Sequence, residues 1–133
     1  MKRLIWCFCV FVSVLSIAST ENIGGENAKK LKNILLESGA KVEKRPLGSS
    51  QHLIIKSVKC NFEKQTEFYT CEISQKNKNY ESTRDEAKTL FKLLEIQVNA
   101  STDRQGNINL KTKGIVCITS AGMKPKTQCE MTI

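Results

Sequence analysis

Two amphipathic stretches and two pairs of β-rich runs alternate along this chain. Ala28, Leu31, Ile34 and Leu35 recur at helical spacing, while Lys29, Lys30, Lys32 and Asn33 take the opposite face. That spacing predicts a helix from about Glu26 to Glu37, ended by Ser38-Gly39, with Gly39 suited to a left-handed C-terminal cap. Ala87, Leu90, Phe91 and Leu94 predict a second helix, which starts at Thr83, where Thr83-x-x-Glu86 fits a capping box. After the first helix, Leu53 to Phe62 reads as a long strand. Period two puts Ile54, Val58, Cys60 and Phe62 on one of its faces, interrupted by Lys56 near the solvent end. Glu63 to Thr66 turns and Glu67 to Ile73 returns, with Tyr69, Cys71 and Ile73 sharing a face. After the second helix, Ile108 to Thr119 is again a long strand, Ala121 to Pro125 a turn, and Thr127 to Thr132 the return. Short strands are expected at Lys41–Glu43 and Gln97–Ala100, and turns at Arg45 to Ser50 and Asp103 to Asn107. Ser19 to Gly25 reads as a mobile terminus, and Gln75 to Asn79 as a polar linker between the halves.

The halves can be laid over one another. Ala28-Lys29 matches Ala87-Lys88, Cys60 matches Cys117, and Cys71-Glu72-Ile73 matches Cys129-Glu130-Met131, at offsets of 59, 57 and 58 residues. The fold class is therefore α+β, built from two α-β-β(β) repeats, about 26–74 and 83–133. Its two helices pack on one face of an antiparallel sheet. One helix on one hairpin is too small to hide its apolar face, and two such units can share a core.

Residues 1–18 have the form of an export signal. Lys2 and Arg3 precede the apolar run Leu4 to Leu15, and Ser16-Ile17-Ala18 is a small-x-small cleavage site. The run is shorter than the roughly 20 apolar residues of a membrane span. Removing these residues leaves a single domain, 19–133, and takes Cys7 and Cys9 away. The charge is then 19 basic against 13 acidic residues, or +6, dispersed along the chain. A solvated basic surface explains that charge better than a dedicated polyanion patch.

Four cysteines remain. In an exported chain they predict disulfides, and of three possible pairings Cys60–Cys71 and Cys117–Cys129 each face across one hairpin. Each bridge closes a loop of about a dozen residues, worth roughly 3 kcal/mol in the chain-entropy view. Tetrahedral zinc needs close Cys/His pairs, so neither metal nor cofactor is expected. His52 is the single histidine, placed in a loop beside Ser49 and Ser50 and far in sequence from Asp85 and Asp103, which does not make a triad. Catalysis is not expected. Asn99-Ala100-Ser101 is a glycosylation triplet at Asn99.

The cysteine hairpins, the helix order and the run Gly114-Ile115-Val116-Cys117 with Pro125 and Cys129 resemble small exported bacterial proteins made of tandem helix-plus-sheet repeats with one disulfide each, the architecture of β-lactamase inhibitor protein. That resemblance implies fold and export, and carries no contact residue across. Cystatins share a Gly pair (Gly24-Gly25) and a Gln97-Val98-Asn99-Ala100 echo. Here, however, Gln97 follows the second helix and the only Trp lies in the signal, so kinship is rejected.

The expected function is that of a small secreted or periplasmic non-enzymatic binding protein, for instance an inhibitor of a secreted or periplasmic enzyme. Its candidate contact loops hold Arg45, Pro46, Gly48 and Gln51, and Met123 and Lys124. The competing expectation is charge-driven binding of an anionic surface: cell-wall polymer, membrane or nucleic acid.

Overall fold

The structure is a computed structural model that describes residues 19–43, 50–98 and 100–133. Residues 1–18, which the sequence reading takes as an export signal, and Arg45, Pro46, Gly48 and Asn99 lie outside the described residues. Both apolar stripes form helices: α1 (Gly25–Glu37) buries Ala28, Leu31, Ile34 and Leu35, and α2 (Asp85–Val98) buries Ala87, Leu90, Phe91 and Leu94. The end of α1 is a Schellman motif. Ala40 N–H donates to Leu35 O at 3.1 Å and Gly39 N–H to Leu36 O at 3.0 Å, with Gly39 at φ 115°.

Among the described residues eight strands pack with the helices: β1 (Thr20–Gly24), β2 (Gln51–Ile55), β3 (Ser57–Glu63), β4 (Phe68–Gln75), β5 (Lys78–Thr83), β6 (Ile108–Thr112), β7 (Gly114–Thr119) and β8 (Thr127–Thr132). They make two antiparallel four-stranded sheets, sheet A in the order β1-β8-β7-β2 and sheet B in the order β5-β4-β3-β6. The chain thus runs β-α-β-β-β twice. Each hairpin lies inside the sheet whose edges come from the other half. β7–β8 is flanked by β1 and β2, and β3–β4 by β5 and β6. The antiparallel layer expected beneath the helices is divided in two, and the hairpins are exchanged between halves.

The exchange happens inside the two long strands. Leu53 and Ile55 are buried in sheet A, and Val58 and Cys60 in sheet B. The inward phase slips at Lys56, so Ile54 faces outward rather than sharing a face with Val58. Lys56 sits at this bend, not at a solvent end. Its N–H donates to Ser74 O at 2.8 Å, and at the matching bend Lys113 N–H donates to Thr132 O at 2.8 Å.

Both disulfides form as the hairpin geometry requires, between directly opposed residues: Cys60–Cys71 and Cys117–Cys129, each with Cα atoms 4.0 Å apart. Each bridge is buried beneath the other half's helix. Cys71 Sγ lies 3.7 Å from the carbonyl O of Ala87 on α2, and Cys129 Sγ 3.5 Å from that of Ala28 on α1. Alanine at both positions leaves room for sulfur against the helix backbone. One apolar cluster joins both bridges, both helices and both sheets.

Several local expectations change. Ser19 to Gly25 is not a loose terminus, because Thr20–Gly24 pairs with β8 and Ile23 enters the core. Gln75 to Asn79 is a hairpin corner, with Lys76 at φ 47° between β4 and β5. Gln75 is buried, and its amide holds Lys41 N, Lys41 O and Ile54 O. Thr83 ends β5 opposite Thr70, so the helix-preceding position falls to Arg84 and the capping box does not form. Lys41–Glu43 contributes only the bridge Glu43↔His52, and Gln97 and Val98 belong to α2.

Two measurements follow from this topology. Fragments 19–76 and 77–133, each deprived of the helix or hairpin that covers its apolar surface, are expected to lack cooperative unfolding alone and to regain it on mixing, read by far-UV circular dichroism. Gly39→Ala places a Cβ about 2.6 Å from the Tyr80 ring in a backbone region hostile to L side chains. It is expected to cost roughly 1–3 kcal/mol in urea unfolding.

Candidate functional site

The two halves correspond element for element, down to a left-handed residue where each helix starts: Gly25 at φ 64° opens α1, and Arg84 at φ 62° precedes α2. At the end of sheet B nearest the α2 N-terminus, the inner layer is aromatic. Phe62 pairs with Tyr69 and Ile108 across the strands. The ring centroids of Phe62 and Tyr69 are 4.4 Å apart, and Phe91 on α2 meets Tyr69 edge-on at 5.2 Å. This is the expected way to close a core.

At the matching end of sheet A every one of these positions is polar. Thr119 pairs with Thr127 and Gln51, where Phe62 pairs with Tyr69 and Ile108. Lys32 on α1 stands where Phe91 stands on α2. Its ammonium donates to Thr119 Oγ1 and, at 3.4 Å, to Gln51 Oε1; Thr119 and Thr127 hydroxyls are 3.0 Å apart. Lys32 is only 7 % exposed. Burial pulls its pKa below the ordinary lysine value. The ion pairs among the described residues are Lys76–Glu43 and Lys92–Glu95. Every Asp and Glu of the sequence is described, so no carboxylate of this chain neutralises Lys32.

Lys32 lines an open groove of about 700 Å³ between the α1 N-terminus and the end of the β7–β8 hairpin, together with Gly25, Glu26, Lys29, Thr119 and Lys126. No side chain caps α1 at Gly24, so first-turn N–H groups remain available there. The matching groove between the α2 N-terminus and sheet B, about 530 Å³, has Phe62, Phe68 and Tyr69 in its wall with Arg84, Asp85 and Lys88.

Searches against protein-family profiles, curated proteins and solved structures return no match. The difference between the two sheets extends to their outer faces, away from the helices. On sheet B the row Glu81–Glu72–Lys59–Lys111 runs across four strands, with Asn61 beside Asn109 in the next row. The same rows of sheet A read Asn22–Glu130–Val116–Ile54, and Ile118 beside His52. Apolar side chains thus replace lysine and asparagine on the solvent side, and Ile118 is 39 % exposed.

The sequence-chosen contact residues divide. Gln51 belongs to the Lys32 layer. Met123 and Lys124 are exposed at the hairpin tip, whereas their neighbours Pro125 and Lys126 line the groove. His52 is half-buried on β2 opposite Ile118, and its carbonyl accepts from Glu43 N–H at 2.7 Å. It is not in a loop. Asp85 opens α2 and Asp103 holds a turn by accepting from Gln105 and Asn107 N–H, so neither meets His52. Among the described residues no three His, Cys, Asp or Glu side chains gather as metal ligands, and no helix is long and apolar enough to cross a membrane. Periodicity hid Lys32, because at its position a lysine reads as the solvent face of α1. Aligning it with Phe91 was the available signal.

The Lys32 charge is expected to oppose folding. Because its folded pKa is lowered, the penalty is full below that pKa and disappears as pH rises towards the ordinary lysine value. Lys32→Met should raise stability by about 1 kcal/mol near neutrality and flatten the gain in stability expected of the natural chain on going alkaline, measured by urea unfolding across pH.

Proposed function

We propose that this chain is an exported, non-enzymatic binding protein that docks a partner protein on the outer face of sheet A. The observation that carries it is the strip Ile54, Val116 and Ile118, set on solvent-facing positions where sheet B carries Lys111, Lys59 and Asn61. The shared backbone has no need of apolar side chains there. Clustered apolar surface invites non-specific association unless a partner covers it. Contact strips of this kind place their binding energy in a few central side chains. Two buried disulfides indicate an oxidising environment, and with the export-type first eighteen residues they favour a secreted or periplasmic site of action. Inhibition of an enzyme in that space is the finer form of the proposal, and blocking by a rigid disulfide-locked face would suffice for it.

The test compares three baits in extracellular or periplasmic extract: the natural mature chain, Ile118→Lys and Asn61→Lys. A partner held by the natural chain and by Asn61→Lys, but bound at least about tenfold more weakly by Ile118→Lys, is the expected result. Equal retention by all three baits, or no specific protein on any, overturns the proposal.

A further inference from the structure

We propose that the partner is an acidic protein, one carboxylate of which enters the groove between α1 and the β7–β8 hairpin and pairs with Lys32. This rests on the docking face proposed above and names the chemistry that binds beside it. The groove supplies Lys29, Lys32 and Lys126 against the single acid Glu26. The Lys32 ammonium holds two neutral acceptors, Thr119 and Gln51. It has a third donor and no counter-charge within this chain. A buried cation in that state is costly to keep, and an incoming carboxylate answers it with a charge-assisted hydrogen bond in a partly water-excluded setting. The uncapped N-terminus of α1 adds N–H groups of the same polarity at the groove wall.

The fold does not require this arrangement. Phe91, Phe62, Tyr69 and Ile108 close the matching layer between α2 and sheet B with no buried charge.

The groove and the apolar strip form one continuous surface. Lys126 and Gln128 line both the Lys32 groove and the shallow depression that holds Val116 and Ile118. A partner segment lying across the end of the β7–β8 hairpin would rest apolar side chains on the strip and reach the groove with an acid. The surroundings select a lone carboxylate over a polyanion. Glu26 stands in the groove and Glu130 on the adjoining face, so closely spaced phosphates or sulfates of a nucleic acid or glycan would meet repulsion on both sides.

The experiment is an amide NMR titration of the full mature chain with a capped peptide that carries one glutamate among leucines and alanines, and in separate arms with inorganic phosphate and a heparin oligosaccharide. The single-glutamate peptide is expected to shift Gly25, Glu26, Thr119 and Lys126, less so as salt rises. Affinity should fall about tenfold in Lys126→Glu and in Lys32→Met, and stay unchanged in Lys88→Glu, the matching position to Lys29 in the other half. Lys126 is exposed, so its variant keeps the test decisive if Lys32→Met perturbs the fold. Shifts scattered over the surface lysines, no shift at these amides, or tighter binding of phosphate or heparin there overturns the inference. A partner captured through Ile118 but indifferent to Lys32 and Lys126 also overturns it, and leaves the docking face standing.

Discussion

Everything in this fold depends on the two points where long strands leave one sheet for the other. At Lys56 and Lys113 the backbone bends, the inward phase slips by one residue, and the bend N–H is taken up by a carbonyl of the neighbouring return strand. Without that slip, Ile55 and Val58 could not both be buried, and nor could Thr112 and Ile115. With it, each hairpin crosses to lie under the helix of the opposite half. The disulfides are local, one per hairpin, and tie neither half to the other. What joins the halves is strand pairing, β1 with β8, β2 with β7, β3 with β6 and β4 with β5, together with apolar contact, in which Ala28 covers Cys129 and Ala87 covers Cys71. Neither half can bury its stripe alone. Strand segregation, helix packing and bridge burial are therefore a single cooperative event.

The helices, the cysteine pairing and the Schellman end at Gly39 were legible because each is written in short-range pattern: helical periodicity, hairpin facing and a glycine where a left-handed residue is required. The exchange of hairpins was not, since it depends on which of two equivalent helices a strand pair meets. Local pattern is the same for both outcomes. β1 escaped for a related reason. Thr20 to Gly24 has the composition of a loose end, and only the free edge of β8 makes it a strand. The Thr83 capping signal lost to strand pairing with Thr70, a tertiary contact overriding a local motif. His52 read as a loop residue because Ser49 and Ser50 precede it, while its pairing with Ile118 lies far away in sequence.

The candidate site was legible only in retrospect, through alignment of the halves. Where two copies keep the same backbone, side chains common to both report what the fold needs, and those that differ are free to report something else. Leu31 and Leu90, Leu35 and Leu94, and the four cysteines belong to the first kind. Lys32 against Phe91, Thr127 against Tyr69, and Ile118 against Asn61 belong to the second. The departures run in opposite chemical directions on the two faces of one sheet. The inner layer of sheet A becomes polar where packing favours aromatics, and its outer face becomes apolar where water favours charge. Drift alone gives no reason for paired departures of opposite sign on one hairpin.

That hairpin is also a constrained carrier for such a pair. Cys117–Cys129 lies two residues from Thr119 and Thr127, pinned against α1 at Ala28. The alternation of a strand sends Ile118 and Thr119 to opposite faces, so one rigid element fixes the spacing between the outer strip and the Lys32 layer. Lys126 stands at the rim shared by both. Binding is weakened by whatever must be ordered when the partner arrives. A bridge-locked hairpin has little left to order, and a lysine already held by Thr119 and Gln51 has lost its side-chain freedom during folding. The cost of burying Lys32 is therefore met in the free protein, where the rest of the core can carry it, and the ammonium is in position before any partner is.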